Sequence, residues 1–222
     1  GMNSPVFWGF YIINFVFFIG ISHAGTLVSA ILRICKASWR FPLTRAAEAI
    51  TVFSLPFGAM SVIVDLGRPD RMLNVLHFPH LTSPILWDVL CITTYLVGSC
   101  TYLYLPLIPD IALCRDKLTT AGPIRRRFYQ ILALGWTGTP AQVHLLERAV
   151  DIMAIVITPI AISVHTVVSW IFATTANPMW HSTIFGPYFV VGAIYSGIAA
   201  LFLAITVIRK VWRLERYLNE KI

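Results

Sequence analysis

The feature that most limits this chain is a repeated contrast between long runs almost without charge and the basic clusters that close them. Residues 1–32 contain no Asp, Glu, Lys or Arg, and Arg33, Lys36, Arg40 and Arg45 follow. Residues 49–64 are again uncharged, between Glu48 and Asp65. About 20 apolar residues let a helix cross a hydrocarbon core roughly 30 Å thick. Within that core every backbone polar group must find its partner inside the segment, so such runs fold as spanning helices. Five spans are expected, over 6–32, 43–66, 84–107, 144–176 and 185–208. The fold class is therefore all-α, a polytopic transmembrane helical bundle. With 57% hydrophobic and only 12% charged residues, the chain lies outside the range of soluble domains. A net charge of +7 would suggest nucleic acid in a soluble protein; here it belongs to the connections between spans.

Alternating five spans puts 15 of the 17 basic residues on one side, against Arg68 and Arg71 on the other. The positive-inside rule makes the richer side cytoplasmic, so the N-terminus is expected outside and the C-terminus inside. The loop DLGRPDR then faces outward. The basic connection 108–143 carries a stretch, FYQILALGW, suited to the membrane interface, and the chain closes on a basic amphipathic tail, RKVWRLERYLNEKI. The start GMNSPVFWGF has neither a basic n-region nor a cleavage site, and its Gly-Met opening reads as a piece with residues upstream. The four cysteines show no C-x-x-C spacing, so neither a metal nor an iron–sulfur cluster is expected in this chain.

Polar residues inside the spans are not scattered. Glu147, Asp151, Thr158, His165 and Ser169 fall on one stripe of the fourth span, about 40° wide and about 33 Å long. Ser163 projects roughly 160° away, and Pro159 is a kink site. Intramembrane carboxylates and histidines face bundle interiors and mark ion or proton routes. Glu147, Asp151, Thr158 and His165 are thus candidates for a proton pathway, or else a seam that hydrogen-bonds neighbouring helices. The other spans carry seams too: Thr51, Ser54, Ser61 and Asp65 on the second, Asp88, Tyr95, Ser99 and Tyr102 on the third. On the first, Ser22, Thr26 and Ser29 cluster beside His23. Four such helices suit an antiparallel four-helix bundle with a polar interior. Residues 1–176 form this first bundle, and 177–222 supply a further helix and the tail. Ala193 and Gly197 on that helix predict close packing against a neighbour.

Asp65 ends the second span and Asp88 lies one turn inside the third, so both carboxylates are expected near the outer surface. They could accept protons from a ligand there, or cap helices and pair with Arg68 or Arg71. Counted along the helix, His23 lies about 22 Å below Trp8, deeper than Asp65. His23 and His165 are the only intramembrane histidine pair, which admits at most one haem; a two-haem cytochrome is excluded. On this count His165 lies nearer the outer side than His23.

The stretches WGFYIINFVFFIGISHAGT, DLGRPDR, SPILWDV, LIPDIALCRD, ALGWTGT, SVHTVVSWIFA and WHSTIFGPYFVVGAIYSG together extend through most of residues 8–200. In combination they resemble the NrfD/PsrC family, quinone-interacting membrane subunits of polysulfide reductase-like complexes, and most nearly the version found in alternative complex III. The resemblance implies an 8–10-helix subunit built as two four-helix bundles, of which this chain would be a fragment. It implies a menaquinone or related quinol held non-covalently near the outer surface, with no redox centre in the chain itself. Iron–sulfur clusters and haem would sit on partner subunits only, an iron–sulfur subunit docking on the outer, periplasmic face of a bacterial inner membrane. His23 in SHAGT and Asp65 in DLGRP become quinone-site candidates with Asp88, and Arg68 would anchor Asp65 or the partner. Glu147, Asp151 and His165 become proton-route candidates. One departure is visible: Ile171 stands where family members often carry an acid. The competing readings are a passive membrane anchor or solute carrier, and a single-haem b-type cytochrome.

Overall fold

The computed structural model describes residues 8–118, 122–174 and 181–213. The first span forms α1 (Trp8–Ile34), 27 residues or about 40 Å of helix. A short 3-10 turn leads into α2 (Phe41–Asp65). The DLGRPDR loop follows, with α3 (Asn74–His77) a single turn within the connection to α4 (Pro84–Lys117). Then come α5 (Pro123–Leu132), α6 (Pro140–Ala173) and α7 (Phe185–Val211). Five of these helices are long and apolar enough to cross a membrane, the five spans read from sequence. Arg216 and Lys221 of the basic tail and the beginning of the first span lie outside the described residues.

Two spans are longer than their apolar runs. α4 and α6 reach 34 residues each, about 51 Å, well beyond a 30 Å core. α4 continues ten residues past its expected end, through Pro109, with Pro106 just before that end. The Pro106 carbonyl accepts from Arg45 (3.3 Å), and Asp110 takes a salt bridge from the same guanidinium. α6 starts early because its N-terminus is well capped. The Thr139 side chain accepts from the Gln142 backbone N–H, while Gln142 Oε1 takes the amides of Thr137 and Gly138. α5 begins before the expected interfacial stretch and stops at Leu132, where Leu134 and Gly135 turn the chain with positive φ. Its end is tied to α4 by the Tyr104 hydroxyl on the Leu132 carbonyl, 2.6 Å.

α1, α2, α4 and α6 close into a ring, each packed on the next, and α7 lies outside it against α1 and α6. The interior is filled by Phe15, Ile19, Leu27, Leu55, Tyr95, Tyr102, Ile157, Val164 and Val168. Small residues set the closest approaches. A methyl group on Gly25 would collide with the Ala47 carbonyl and the Thr51 hydroxyl, and one on Gly197 with Ala24 and the Gly20 carbonyl. Ala193 and Gly197 therefore do pack closely, and their neighbour is α1. Gly67, just after the last turn of α2, adopts φ +65°, a left-handed conformation that suits glycine and ends the helix.

Candidate functional site

The short contact at Gly25 brings α2 close enough for side chains to join. Thr51 donates to the Ser22 carbonyl (2.7 Å) and lies 3.2 Å from the Thr26 hydroxyl. From α4, the Tyr95 hydroxyl reaches Thr26 (2.7 Å) and the Ser22 carbonyl (3.0 Å). One turn nearer the basic end, Ser29 donates to Glu48 Oε1 (2.5 Å) and lies 3.3 Å from the Tyr102 hydroxyl. All of these side chains except Glu48 were on the sequence seams of their helices.

His23 projects from α1 between Ser22 and the ring's interior, fully buried. Its ring stacks on Tyr95, centroids 4.1 Å apart and planes 6° from parallel, and meets His165 of α6 edge-on at 4.4 Å. Nδ1 lies 2.7 Å from the Ile19 carbonyl. A carbonyl only accepts, so Nδ1 carries the proton and Nε2 presents a lone pair. That Nε2 is buried without a partner, as are both ring nitrogens of His165. Buried polar atoms without partners are uncommon, and three in one contact pair call for an explanation. The contact also corrects the depth expectation: the two histidines lie side by side, not at different levels. Rings this close leave no slot for a haem between two axial imidazoles.

At the end opposite the basic cluster a cavity of about 180 Å³ opens between α1, α2, α4 and α6. Asp65, Asp88 and Ser61 supply its polar lining, Tyr11, Phe15, Val168 and Ile171 much of the rest. Asp65 and Asp88 are thus brought to one cavity, and Asp88 Oδ1 is buried there without a partner. His23 does not line it; Phe15 and Val168 do, and His165 is one turn inward from Val168. Arg68 does not reach Asp65. Beyond the left-handed Gly67, its guanidinium lies 3.5 Å from Asp70 instead. Ile171, the departure noted above, is an apolar wall of this cavity.

The stripe on α6 divides. His165 and Ser169 are buried, but Glu147 and Asp151 are exposed. They line a 540 Å³ cleft at the basic end with Arg33, Lys36 and Arg40. There Arg33 pairs with Asp151 at 2.8 Å and donates to the Glu147 carbonyl at 3.3 Å. Thr158, between the halves, turns its hydroxyl onto its own helix at Ala154 (2.8 Å). The face that α6 gives the interior is apolar at Ala154, Ile157, Ala161 and Val164. The longer line of buried polar groups runs along α1, α2 and α4, and it ends at Glu48, which is 5% exposed. Sequence reasoning took Glu48 as the edge of an uncharged run. Its spacing of three from Thr51 was the available signal.

The family model for the polysulphide reductase NrfD matches residues 1–216. The chain belongs to the NrfD family. The NrfD match covers all five helices that can span the membrane, so the multi-pass architecture and the family agree. Among relatives, this NrfD chain is 26% identical to a candidate dimethyl sulfoxide reductase membrane subunit of Halobacterium salinarum, over 90% of this chain and 43% of the relative. It is 23% identical to a selenate reductase subunit of Mesobacillus selenatarsenatis, over 90% of this chain and 48% of that one. To the Hdr-like menaquinol oxidoreductase integral membrane subunit of Archaeoglobus fulgidus it is 22% identical, over 90% and 42%. The chain spans less than half the length of these curated relatives.

Proposed function

We infer that this NrfD chain handles quinone: it holds the head of a membrane quinol or menaquinol at the end bearing DLGRPDR. There it would exchange electrons with an iron–sulfur subunit docked outside. The observation that carries this reading is the His23–His165 pair, whose three free ring nitrogens lie in the bundle interior one turn below a cavity lined by Asp65 and Asp88. Support also comes from the family and from the one relative named for menaquinol oxidation. A quinone supplies two-electron, two-proton redox chemistry. The chain's residues supply acceptors and donors for its oxygens. His23 Nε2 can take a hydrogen bond or a proton from a hydroxyl while Nδ1 stays fixed on Ile19, and Asp65 and Asp88 offer carboxylates towards the outer water. Neither Arg68 nor Arg71 is needed to hold Asp65, which leaves it free for that exchange. The setting proposed is a bacterial cytoplasmic membrane, in a complex whose catalytic subunits carry the clusters and any haem. The finer likeness to alternative complex III belongs to this reading as well.

The test is quinol turnover by the isolated complex, with Asp65→Asn and His23→Gln beside wild type after equal assembly is confirmed. Turnover falls at least tenfold in His23→Gln and is blocked by quinone analogues in wild type. Turnover indifferent to both sinks the reading and leaves a passive anchor.

A further inference from the structure

Glu48 is the one carboxylate sealed inside the described bundle that the quinone reading leaves without a task. Oε1 accepts from Ser29, and Oε2 is buried with no partner at all. An acid kept inside a transmembrane bundle is costly unless it does something.

Its surroundings form two layers. The first holds Ser29, Glu48 and Tyr102; the second holds Thr26, Thr51 and Tyr95, one helical turn or about 5 Å further in on α1 and α2 and two turns along α4. Each of the helices α1, α2 and α4 contributes one residue to each layer. Ser99 lies between Tyr95 and Tyr102 on α4, 2% exposed, and its hydroxyl is also without a partner. The second layer ends on the ring of His23, stacked against Tyr95. At the other end Arg33, one turn beyond Ser29, pairs with Asp151 at the edge of the open basic cleft.

We propose that Glu48 is the proton-loading group of a buried hydroxyl path that links the basic-end cleft to the His23–Tyr95 pair, and that this path, not the α6 stripe, carries protons through the bundle. A proton from water in the cleft binds Oε2. Rotation of the carboxyl then presents this O–H to the Ser29 hydroxyl, which passes its own proton to Tyr102, each hydroxyl giving up its proton as it accepts the next. No bond to carbon forms or breaks and no electron moves. Ser99, on the α4 turn between the two tyrosines, is the hydroxyl that would carry the proton from one layer to the other. The free Oε2 explains why the carboxylate is not fully bonded: a fully bonded one could not take up the proton.

The charged and titratable groups around Glu48 fit a loading site. Arg33 of α1 and Arg45 of its own helix lie near it, and Tyr102 of α4 sits beside Ser29. Arg33 is shared with Asp151 and Arg45 with Asp110, so neither is committed to Glu48. On α6 the nearest carboxylates, Glu147 and Asp151, lie across Arg33 in the cleft. α7 brings Leu201 and Ile205 to that part of α2, with Arg209 one turn beyond.

The path rests on the quinone reading only for the use made of its protons, so two measurements on the purified complex separate them. Infrared titration is expected to show a buried carboxyl band that disappears in Glu48→Gln and stays in Asp65→Asn; this needs no quinone. In proteoliposomes, proton uptake coupled to turnover should fall at least tenfold in Glu48→Gln and about threefold or more in Tyr102→Phe, which keeps the carboxylate. Quinone-analogue binding should stay within twofold in both. A band unaffected by Glu48→Gln overturns the proposal, as does a greater loss of uptake in Glu147→Gln than in Glu48→Gln. If Glu48→Gln does not assemble, unchanged uptake in Tyr102→Phe overturns it equally. Failure of wild type to bind any analogue, with the Glu48 band present, defeats the quinone reading alone.

Discussion

The imidazoles of His23 and His165 meet edge to face at 4.4 Å inside the bundle, and no hydrogen bond joins them. They come from helices distant in sequence, and each is shielded from solvent. Such a contact gains little from its polar atoms, because three of the four ring nitrogens have given up water and received no partner in return.

His165 therefore gives the sharpest separation of stability from function. Removing a buried polar group that bonds to nothing is neutral or favourable when the shape is kept. His165→Leu is expected to hold the melting temperature of the purified complex or raise it, while weakening quinone-analogue binding at least tenfold. A fall in Tm with unchanged binding would make the histidine structural.

Tyr95 behaves oppositely. Its hydroxyl is bonded to Thr26 and to the Ser22 carbonyl, so Tyr95→Phe removes two bonds from a buried cluster in which Thr51 alone still links those groups. The expected cost is about 1–3 kcal/mol, read from denaturation in detergent. A variant as stable as wild type would show that Thr51 alone satisfies the Thr26 and Ser22 groups.

Gly25→Ala tests the α1–α2 approach. The added methyl has backbone on one side and the Thr51 hydroxyl on the other, and the Ala47 carbonyl cannot move without α2. Overpacking of this kind costs about 1–3 kcal/mol. The Thr26–Thr51 bond should open with it, so the variant loses stability beyond that of Thr51→Val alone. Equal losses would contradict this.

The Arg45–Asp110 pair is half exposed at both ends. Arg45→Ala is expected to cost no more than about 1 kcal/mol, with the difference shrinking as salt is raised. A larger effect that persists in salt would mean that the Arg45 bond to the Pro106 carbonyl, which supports the proline-containing end of α4, matters more than the charge.

The five spans were legible because uncharged length decides crossing. The hydroxyl seams of α1 and α4 were legible too: in an apolar run, Ser22, Thr26 and Ser29, or Tyr95, Ser99 and Tyr102, stand out at spacings of three and four. The α6 stripe was legible only in its angles. Alignment about an axis does not say which turns lie within the bundle, and Glu147 and Asp151 fall on turns that emerge from it. Counting residues down straight helices put His23 and His165 at different depths, whereas the packed helices bring the rings together. Glu48 was hidden by its place at the rim of an uncharged run, where a carboxylate normally meets water. Arg68 could not be assigned from sequence, since the backbone turn at Gly67 decides where it points.

The unequal helix lengths have a mechanical meaning. α4 and α6 are rods half again as long as the slab they cross, and their surplus stands proud on one side, braced by α5 and by the Arg45 clasp. A surface on that side is therefore built from helix ends, with α5 packed beside them. Asp88 and Ile171 lie near the opposite ends of the same two helices, so the basic side and the far cavity are joined by unbroken lengths of helix.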